Sequence, residues 1–179
     1  IDRSGTNAQF HLVDERIVGR KPKSIGFGAA AALPLTAITA WEALFDRLQI
    51  ARNGAADGTA LLVIGGAGGV GSIAIQLARR LTGLRVIATA SRPETREWCL
   101  SLGAHDVVDH SGDLVAQLRA LKVAPRYVFS ANTTERNWKA AAEVVAPQGR
   151  IALIEAQGPV DVRDVMRKSV SVHCEWMFT

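Results

Sequence analysis

Short apolar runs alternate with amphipathic stretches along the chain beyond residue 58. The apolar runs predict strands at 61–64, 85–89, 106–108, 127–129, 150–154 and 170–176. The stretches between them repeat apolar residues at helical spacing and predict helices at 70–81, 93–102, 114–121 and 138–145. Strands that alternate with helices in this way indicate the α/β class, with a parallel sheet covered by helices on both faces. Six strands fit the Rossmann-type doubly wound order.

The first part of the chain carries a weaker pattern. Apolar side chains alternate over residues 8–13 and predict a short strand there. The pattern changes from residue 26, because an alanine-rich segment is followed by Pro34 and by apolar residues at helical spacing up to Leu48. The sequence therefore predicts helical structure ahead of the six-stranded sheet.

A glycine-rich turn lies between the strand at 61–64 and the helix after it. Residues 66–71 satisfy G-x-G-x-x-G, with Gly66, Gly68 and Gly71 at the fixed positions. The first glycine permits the tight turn, the second lets the backbone approach a pyrophosphate, and the third lets helix and strand pack closely. The helix N-terminus also favours phosphate groups. Because the pattern follows a buried strand and opens an amphipathic helix, it predicts a dinucleotide-binding site rather than an ordinary strand–helix turn.

The end of the second strand indicates which dinucleotide binds. An acidic residue that holds the ribose of NAD is expected about 20 residues after the glycine turn, but no Asp or Glu occurs from Gly58 to Pro93. Ser91 can donate a hydrogen bond to a 2′-phosphate and Arg92 can neutralise its charge, which favours NADP (NADPH) over NAD. Arg96, one helical turn further on, either reinforces this site or is a solvated charge on the helix surface.

Composition and charge narrow the range of partners. Apolar residues make up 48% and charged residues 21% of the 179 residues, as in ordinary globular proteins. The formal net charge of +4 is scattered along the chain, so we expect no nucleic acid partner. The apolar stretches are too short to span a membrane, so we expect no membrane partner. Cys99 and Cys174 lie far apart in the sequence and suit a reducing compartment, which predicts a cytoplasmic protein.

Several segments in a fixed order resemble the medium-chain dehydrogenase/reductase superfamily, in its branch of zinc-type alcohol dehydrogenase-like and quinone oxidoreductase-like proteins. The segments are 5–10 (GTNAQF), 32–44 (ALPLTAITAWEAL), 66–76 (GAGGVGSIAIQ), 102–108 (LGAHDVV) and 146–151 (APQGRI). The resemblance implies an NADPH-dependent oxidoreductase that transfers a hydride to a small-molecule substrate, a carbonyl, quinone or activated alkene. It leaves a second class open, a non-catalytic NADPH-binding sensor or structural protein.

The resemblance also implies a domain organisation. Residues 1–22 would be the tail of a substrate-binding (GroES-like) domain, and residues 23–179 an NADP-binding Rossmann domain. Most of the substrate-binding domain would precede Ile1 and its closing segment would follow Thr179, so we expect this chain to bind NADPH but to be inactive alone. Relatives join the last strands of two cofactor domains. The resemblance therefore implies a homodimer through residues 170–176, which pairs an otherwise exposed apolar edge strand.

Cofactor contacts follow from the same resemblance, position by position. Thr39 matches the helix position near the nicotinamide-side phosphate. The other implied contacts are Gly66, Gly68, Gly69, Val70 and Gly71 in the turn, Ser91 and Arg92 at the ribose, Ser130, Ala131 and Asn132 after the fourth strand, and Ile154 and Glu155 at the end of the fifth. For Asn132, a role as a loop-capping residue is an equal alternative.

The sequence assigns no metal site and no catalytic acid or base. Its four histidines and two cysteines lack metal-ligand spacing. In zinc-dependent relatives a ligand cysteine stands where this chain reads Leu33-Pro34-Leu35, so the resemblance is to the zinc-free branch. His105 and His110 flank a short strand and are expected at its solvated ends. The tryptophans are expected in the core.

Overall fold

The computed structural model describes residues 8–54 and 58–177. The chain divides into two compact units, Ile1–Leu33 and Pro34–Thr179. The parallel sheet and the helices that flank it belong to the second unit. The domain boundary expected after residue 22 stays a prediction.

The first unit contains little regular structure in its described residues. A 3-10 helix spans Glu15–Ile17, and the Asp14 side chain accepts a hydrogen bond from the backbone N–H of Arg16 at its start. Helix α1 spans Phe27–Ala31. The strand expected over residues 8–13 is wrong, because these residues form no strand. A short alternating segment needs a neighbouring strand to pair with, and no described residue of this unit supplies one.

Helices flank the sheet of the second unit. The helices are α2 (Pro34–Trp41), a π-helix that continues it (Glu42–Arg47), α3 (Gly69–Leu81), α4 (Pro93–Ser101), α5 (Leu114–Ala120), α6 (Thr134–Val144) and α7 (Arg163–Met166). The strands are β1 (Ala60–Ile64), β2 (Arg85–Thr89), β3 (Asp106–Val108), β4 (Tyr127–Ser130), β5 (Arg150–Leu153) and β6 (Ser171–Cys174). The sequence therefore predicted β1 to β5 closely, whereas β6 is shorter than expected.

The strands run parallel in the order β3-β2-β1-β4-β5-β6. This confirms the predicted doubly wound α/β arrangement. Because β1 pairs with both β2 and β4, the strand order reverses beside β1. Ligands of such sheets bind in the crevice outside the carboxyl ends of the strands at this reversal.

Alternate residues of β1 face two separate cores. Leu61 and Val63 lie in the core that α2 and α3 cover, and Leu62 and Ile64 lie in the core that α5 and α6 cover. All four side chains are buried, and each fully buried side chain of this kind stabilises the fold by roughly 1.5–3 kcal/mol. Packing on both faces fixes the central strands, so the loops at their carboxyl ends start from rigid positions.

Two expectations are wrong: the start of helix α6 and the burial of three tryptophans. Helix α6 begins at Thr134 rather than at residue 138, because its first turn is polar and the apolar spacing starts only at Trp138. Trp138 is buried as expected, but Trp41, Trp98 and Trp176 are 37%, 50% and 63% exposed, so their assignment to the core is wrong. The Trp98 indole instead donates a hydrogen bond to Ser72 Oγ over 2.9 Å. Of the helices described, none is long and apolar enough to cross a membrane.

Candidate dinucleotide-binding site

A cleft of about 610 Å³ opens at the carboxyl edge of the sheet, between the loops that follow the central strands. Predicted contacts that line it are Gly68, Gly69, Val70, Gly71, Ser91, Arg92, Ala131, Asn132 and Glu155. Lining residues that the sequence did not single out as contacts include Gly65, Thr89, Thr95 and His110. The cleft has the size of a small-molecule or cofactor site. The fold therefore gathers residues from distant segments of the chain at the place where the sequence predicted a dinucleotide.

Close backbone packing shapes the glycine turn on one wall of the cleft. Gly65 has a φ of +80°, which side chains rarely adopt, and its N–H donates to Thr89 Oγ1 over 3.0 Å. A Cβ on Gly71 would lie 2.3 Å from the Gly65 carbonyl oxygen, so only glycine fits there. The predicted role of Gly71 in close packing thus matches its position. The positive φ, however, belongs to Gly65, one residue before the motif.

The N-terminus of α3 faces the cleft from this turn. Its N-cap, Gly68, makes no side-chain capping bond, and the first helical hydrogen bond runs from Ser72 N–H to the Gly68 carbonyl over 2.8 Å. The helix therefore leaves the N–H groups of Gly69, Val70 and Gly71 without an intrahelical acceptor. Together with the helix dipole, these donors form an anion site suited to a pyrophosphate.

The end of β2 forms the opposite wall, where short polar side chains and one cation lie. Arg92 is the N-cap of α4 and is exposed, while Thr95 Oγ1 donates to the Arg92 carbonyl over 2.8 Å. Ser91 lines the same wall. Arg96 fits neither expected role, because its guanidinium donates to the carbonyls of Ala90 (3.4 Å) and Val107 (2.9 Å) and so ties β2 to β3.

Two lining side chains carry buried atoms that no described residue satisfies. These atoms are Nδ1 of His110 and Oε1 of Glu155. Buried polar atoms usually have a partner, so both atoms are candidates to bind a ligand in the cleft. Glu155 was predicted as a contact, whereas His110 was expected only at a solvated strand end. The signal for His110 was its place directly after the short strand beside β2.

Four predicted contacts do not line the cleft, and two of them, Ser130 and Gly66, are packed into the fold beside it. The hydroxyl of Ser130 is buried and shares a hydrogen bond of 2.9 Å with Thr134 Oγ1, which secures the start of α6. Gly66 lies beneath the turn, where a Cβ would come within 2.8 Å of Ala88 Cβ. Their contacts with a cofactor stay predictions.

A second, smaller cavity of about 230 Å³ is mainly apolar. It shares Val70 with the cleft. Its lining residues are Leu35, Thr39, Val70, Ile154, Glu175, Trp176 and Met177. The predicted contacts Thr39 and Ile154 therefore lie in this cavity rather than in the cleft. The Thr39 hydroxyl donates to the Leu35 carbonyl over 2.8 Å, and the residue is buried.

His105 is held away from acid–base chemistry by the backbone of β2. Its Nδ1 accepts a hydrogen bond from Val86 N–H over 2.8 Å, and its Nε2 lies 2.9 Å from Arg79 Nη1. Burial and the neighbouring Arg79 charge lower the pKa of His105. The imidazole is therefore a neutral acceptor that links the β3 loop to β2 and α3.

Metal ligands do not come together in the described residues. Among residues 8–54 and 58–177, no group of three or more His, Cys, Asp or Glu side chains could hold a metal ion. Cys99 is buried and Cys174 is exposed, and both are free thiols. The described residues therefore do not fit a zinc site.

A Rossmann-type sheet with a glycine turn beside its strand reversal defines the class of dinucleotide-binding α/β domains. Comparison with known proteins identifies the family within that class. The family profile described as zinc-binding dehydrogenase matches residues 69–179, and the chain belongs to this family. The predicted resemblance to medium-chain dehydrogenases/reductases is confirmed.

Individual relatives cover nearly the whole chain. A zinc-type alcohol dehydrogenase-like protein of Staphylococcus aureus (strain COL) is 42% identical over 99% of this chain and 53% of its own length. A crystal structure described as a zinc-dependent alcohol dehydrogenase, from Rhizobium etli CFN 42, is 58% identical, with a TM-score of 0.91 over 98% of this chain and 52% of that chain. The quinone oxidoreductase of Thermus thermophilus, solved also with NADPH, is 29% identical, with a TM-score of 0.72 over 88% of this chain and 48% of that chain. The chain thus spans about half the length of these relatives.

Proposed function

We propose that this chain is the NADP-binding domain of an NADPH-dependent oxidoreductase. The substrate class is a carbonyl, a quinone or an activated alkene. The observation that carries the proposal is the cleft that joins the glycine turn to Ser91 and Arg92 across the carboxyl edge of the sheet. Bound NADPH would supply the hydride, and the chain's residues would bind and orient it and exclude water.

Each part of the site suits one part of the cofactor. The free amides at the start of α3 suit the pyrophosphate. Ser91 and Arg92 suit a 2′-phosphate, since they supply a donor and a positive charge where NAD-binding domains place an acid. The apolar cavity with Thr39 and Ile154, adjoining the cleft at Val70, suits the flat nicotinamide ring. Glu155 lines the cleft and follows Ile154 of the cavity directly in sequence. It suits a ribose hydroxyl, since its buried Oε1 has no hydrogen-bond partner among the described residues.

Relatives support the substrate class and the reduced cofactor. The NADPH-dependent alkenal/one oxidoreductase of Arabidopsis thaliana is 38% identical over 64% of this chain, and the Thermus enzyme is a quinone oxidoreductase. A structure described as an NAD-dependent alcohol dehydrogenase is also similar, with 29% identity and a TM-score of 0.84. The fold therefore serves both cofactors, and the choice of NADP rests on Ser91 and Arg92.

Titration with both reduced cofactors tests the proposal. NADPH should bind roughly 10- to 100-fold more tightly than NADH, because a hydrogen bond to a charged group contributes about 1.5–3 kcal/mol. Adenosine 2′,5′-bisphosphate should compete with NADPH, whereas 5′-AMP should compete weakly. Equal or tighter binding of NADH would overturn the choice of cofactor. Substrate-dependent NADPH oxidation by the full-length protein separates an enzyme from a non-catalytic NADPH-binding protein.

We also propose that the protein forms a homodimer through its last strand. β6 is an edge strand, and no strand in the described part of the chain pairs with its outer side. An exposed edge is a liability unless it is covered, and pairing of two β6 strands would continue the sheet through a twofold axis. Light scattering should give twice the monomer mass, with slow amide exchange over Ser171–Cys174. A monomer with fast exchange in that strand would contradict the proposal.

A further inference from the structure

A buried acid lines the apolar cavity, and the proposed function gives it no task. Glu175 follows β6 directly, and its side chain is 0% exposed. Both of its carboxylate oxygens lack a hydrogen-bond partner among the described residues. Buried carboxylates are costly unless they are paired, so the charge state of Glu175 depends on the groups packed against it.

The partners of Glu175 come from the π-helix packed against it. Arg47 Nε lies 2.8 Å from Glu175 Oε2, which makes an ion pair without hydrogen-bond alignment. Burial and the nearby carboxyl group of Glu42 raise the pKa of Glu175, and Arg47 opposes that rise. Glu42 and Arg47 are the two end residues of the π-helix. Such helices are rare and are frequent at functional sites.

Other charged groups near this cluster do not cancel it. His173 lies two residues before Glu175 on the same strand, and burial together with Arg150 and Arg47 lowers its pKa, so it is neutral near pH 7. Glu42, Glu175 and Arg47 therefore carry one net negative charge when both acids are ionised. They carry none when Glu175 is protonated. The cluster can switch between these states beside the apolar cavity.

We propose that Glu175 makes this site discriminate between the oxidised and the reduced cofactor. The inference rests on the proposed function, since it requires the nicotinamide ring in the cavity that Glu175 lines. The ring of NADP⁺ carries a positive charge and the ring of NADPH does not. An ionised Glu175 stabilises the ring of NADP⁺, and protonation of Glu175 removes that preference, because charges interact strongly where water is excluded.

Affinities for both redox forms test the inference without any turnover. The quantity measured is the ratio of the Kd for NADP⁺ to the Kd for NADPH, by calorimetry or NADPH fluorescence, across the whole pH range in which the protein stays folded. Groups that contact the shared part of the cofactor, His110 included, cancel in this ratio. In the wild type the ratio should fall as pH rises, since Glu175 loses its proton. In Glu175→Gln the ratio should rise by roughly tenfold at high pH and become independent of pH.

A matched control and a second variant keep the test decisive. Glu143→Gln removes an exposed acid that pairs with Arg119 over 2.7 Å, and it should leave the ratio unchanged. If Glu175→Gln does not fold, Glu42→Gln takes its place, and because it removes one negative charge from the cluster it should raise the ratio at high pH. An unchanged ratio in a folded variant overturns the inference while the proposed function stands. Failure of the wild type to bind either form defeats the proposed function itself.

Discussion

The two walls of the cleft offer a dinucleotide two different kinds of contact. The glycine turn offers backbone N–H groups, and its shape is enforced by contacts as close as the 2.3 Å that a Cβ on Gly71 would make. The end of β2 offers the side chains of Ser91 and Arg92, and Arg92 is exposed. In the proposed function, the turn therefore decides whether a pyrophosphate binds at all, whereas the end of β2 decides which dinucleotide is preferred.

This difference predicts how each wall responds to substitution. A change in the turn meets fixed backbone and has no room to relax, so it should cost both stability and affinity. A change at the end of β2 meets solvent, so it should alter affinity with little effect on folding. Substitutions on the two walls should therefore separate stability from cofactor choice.

Gly71→Ala should have the largest effect. The added Cβ would clash with the backbone of Gly65 and Gly66, which should lower the free energy of unfolding by about 2–3 kcal/mol. Displacement of the turn should weaken NADPH binding roughly 100-fold through lost phosphate contacts. Calorimetry and chemical denaturation measure the two effects. Gly112→Ala is the control, since its Cβ would come no nearer than 3.5 Å to Gln117 Nε2. Wild-type affinity in Gly71→Ala would refute the steric argument.

The double variant Ser91→Asp with Arg92→Glu should reverse cofactor preference. A carboxylate in place of the cation repels the 2′-phosphate and can accept a hydrogen bond from the ribose hydroxyl of NADH. NADPH should bind roughly 10- to 100-fold more weakly, with the melting temperature of the free protein almost unchanged. Titration with both cofactors measures the change. A parallel loss of NADH binding would mean that this wall supports the turn rather than choosing the cofactor.

Thr95→Val should have a smaller effect, on both stability and NADPH affinity. The Thr95 hydroxyl bonds both the N–H and the carbonyl of Arg92 at the start of α4. Its loss should lower stability by about 1 kcal/mol and NADPH affinity by roughly threefold, because Arg92 is held less firmly. Thr82→Val removes a comparable hydroxyl at the C-terminus of α3, the end of that helix away from the cleft. This hydroxyl donates to the Ala78 carbonyl over 2.6 Å. That control should lose stability but keep its affinity.

The smallest effect should come from pH at the opposite end of β2. Because the folded state lowers the pKa of His105, the unfolded chain binds a proton there more readily. Stability should therefore be full above about pH 6.5 and should fall as pH drops below it. Solvent screening limits the contribution to less than about 1 kcal/mol. Denaturation of the wild type and of His105→Gln at pH 7 and pH 5.5 separates the contribution of His105 to stability from that of His173. An identical pH slope in both proteins would contradict this assignment.

Local signals predicted those parts of the site that depend on backbone shape. The G-x-G-x-x-G spacing predicted Gly68 and Gly71, because a strand, a tight turn and a helix leave little choice of residue. The absence of acidic residues from Gly58 to Pro93 predicted that the wall at the end of β2 carries no carboxylate. The positive φ of Gly65 was missed, since the residue lies one position outside the pattern.

Side chains whose role depends on packing were beyond local patterns. Trp98 and Trp176 read as core residues but are exposed, because only the assembled helices show how much of each ring is covered. Ser130 read as a cleft residue, yet its hydroxyl turns to Thr134. His110 read as a solvated strand end, yet it lines the cleft.

The sequence by itself determined the order of the strands and of the main helices and the glycine turn, since these follow from spacing along the chain. It also determined the family, through the resemblance of several segments to known members. Only the tertiary structure decided that Glu42, Arg47 and Glu175 meet beside an apolar cavity. These residues come from opposite ends of the second unit. The sheet order places β6 beside β5, the strand that contacts the π-helix. The role of a charged side chain can be inferred only once its neighbours and its burial are known.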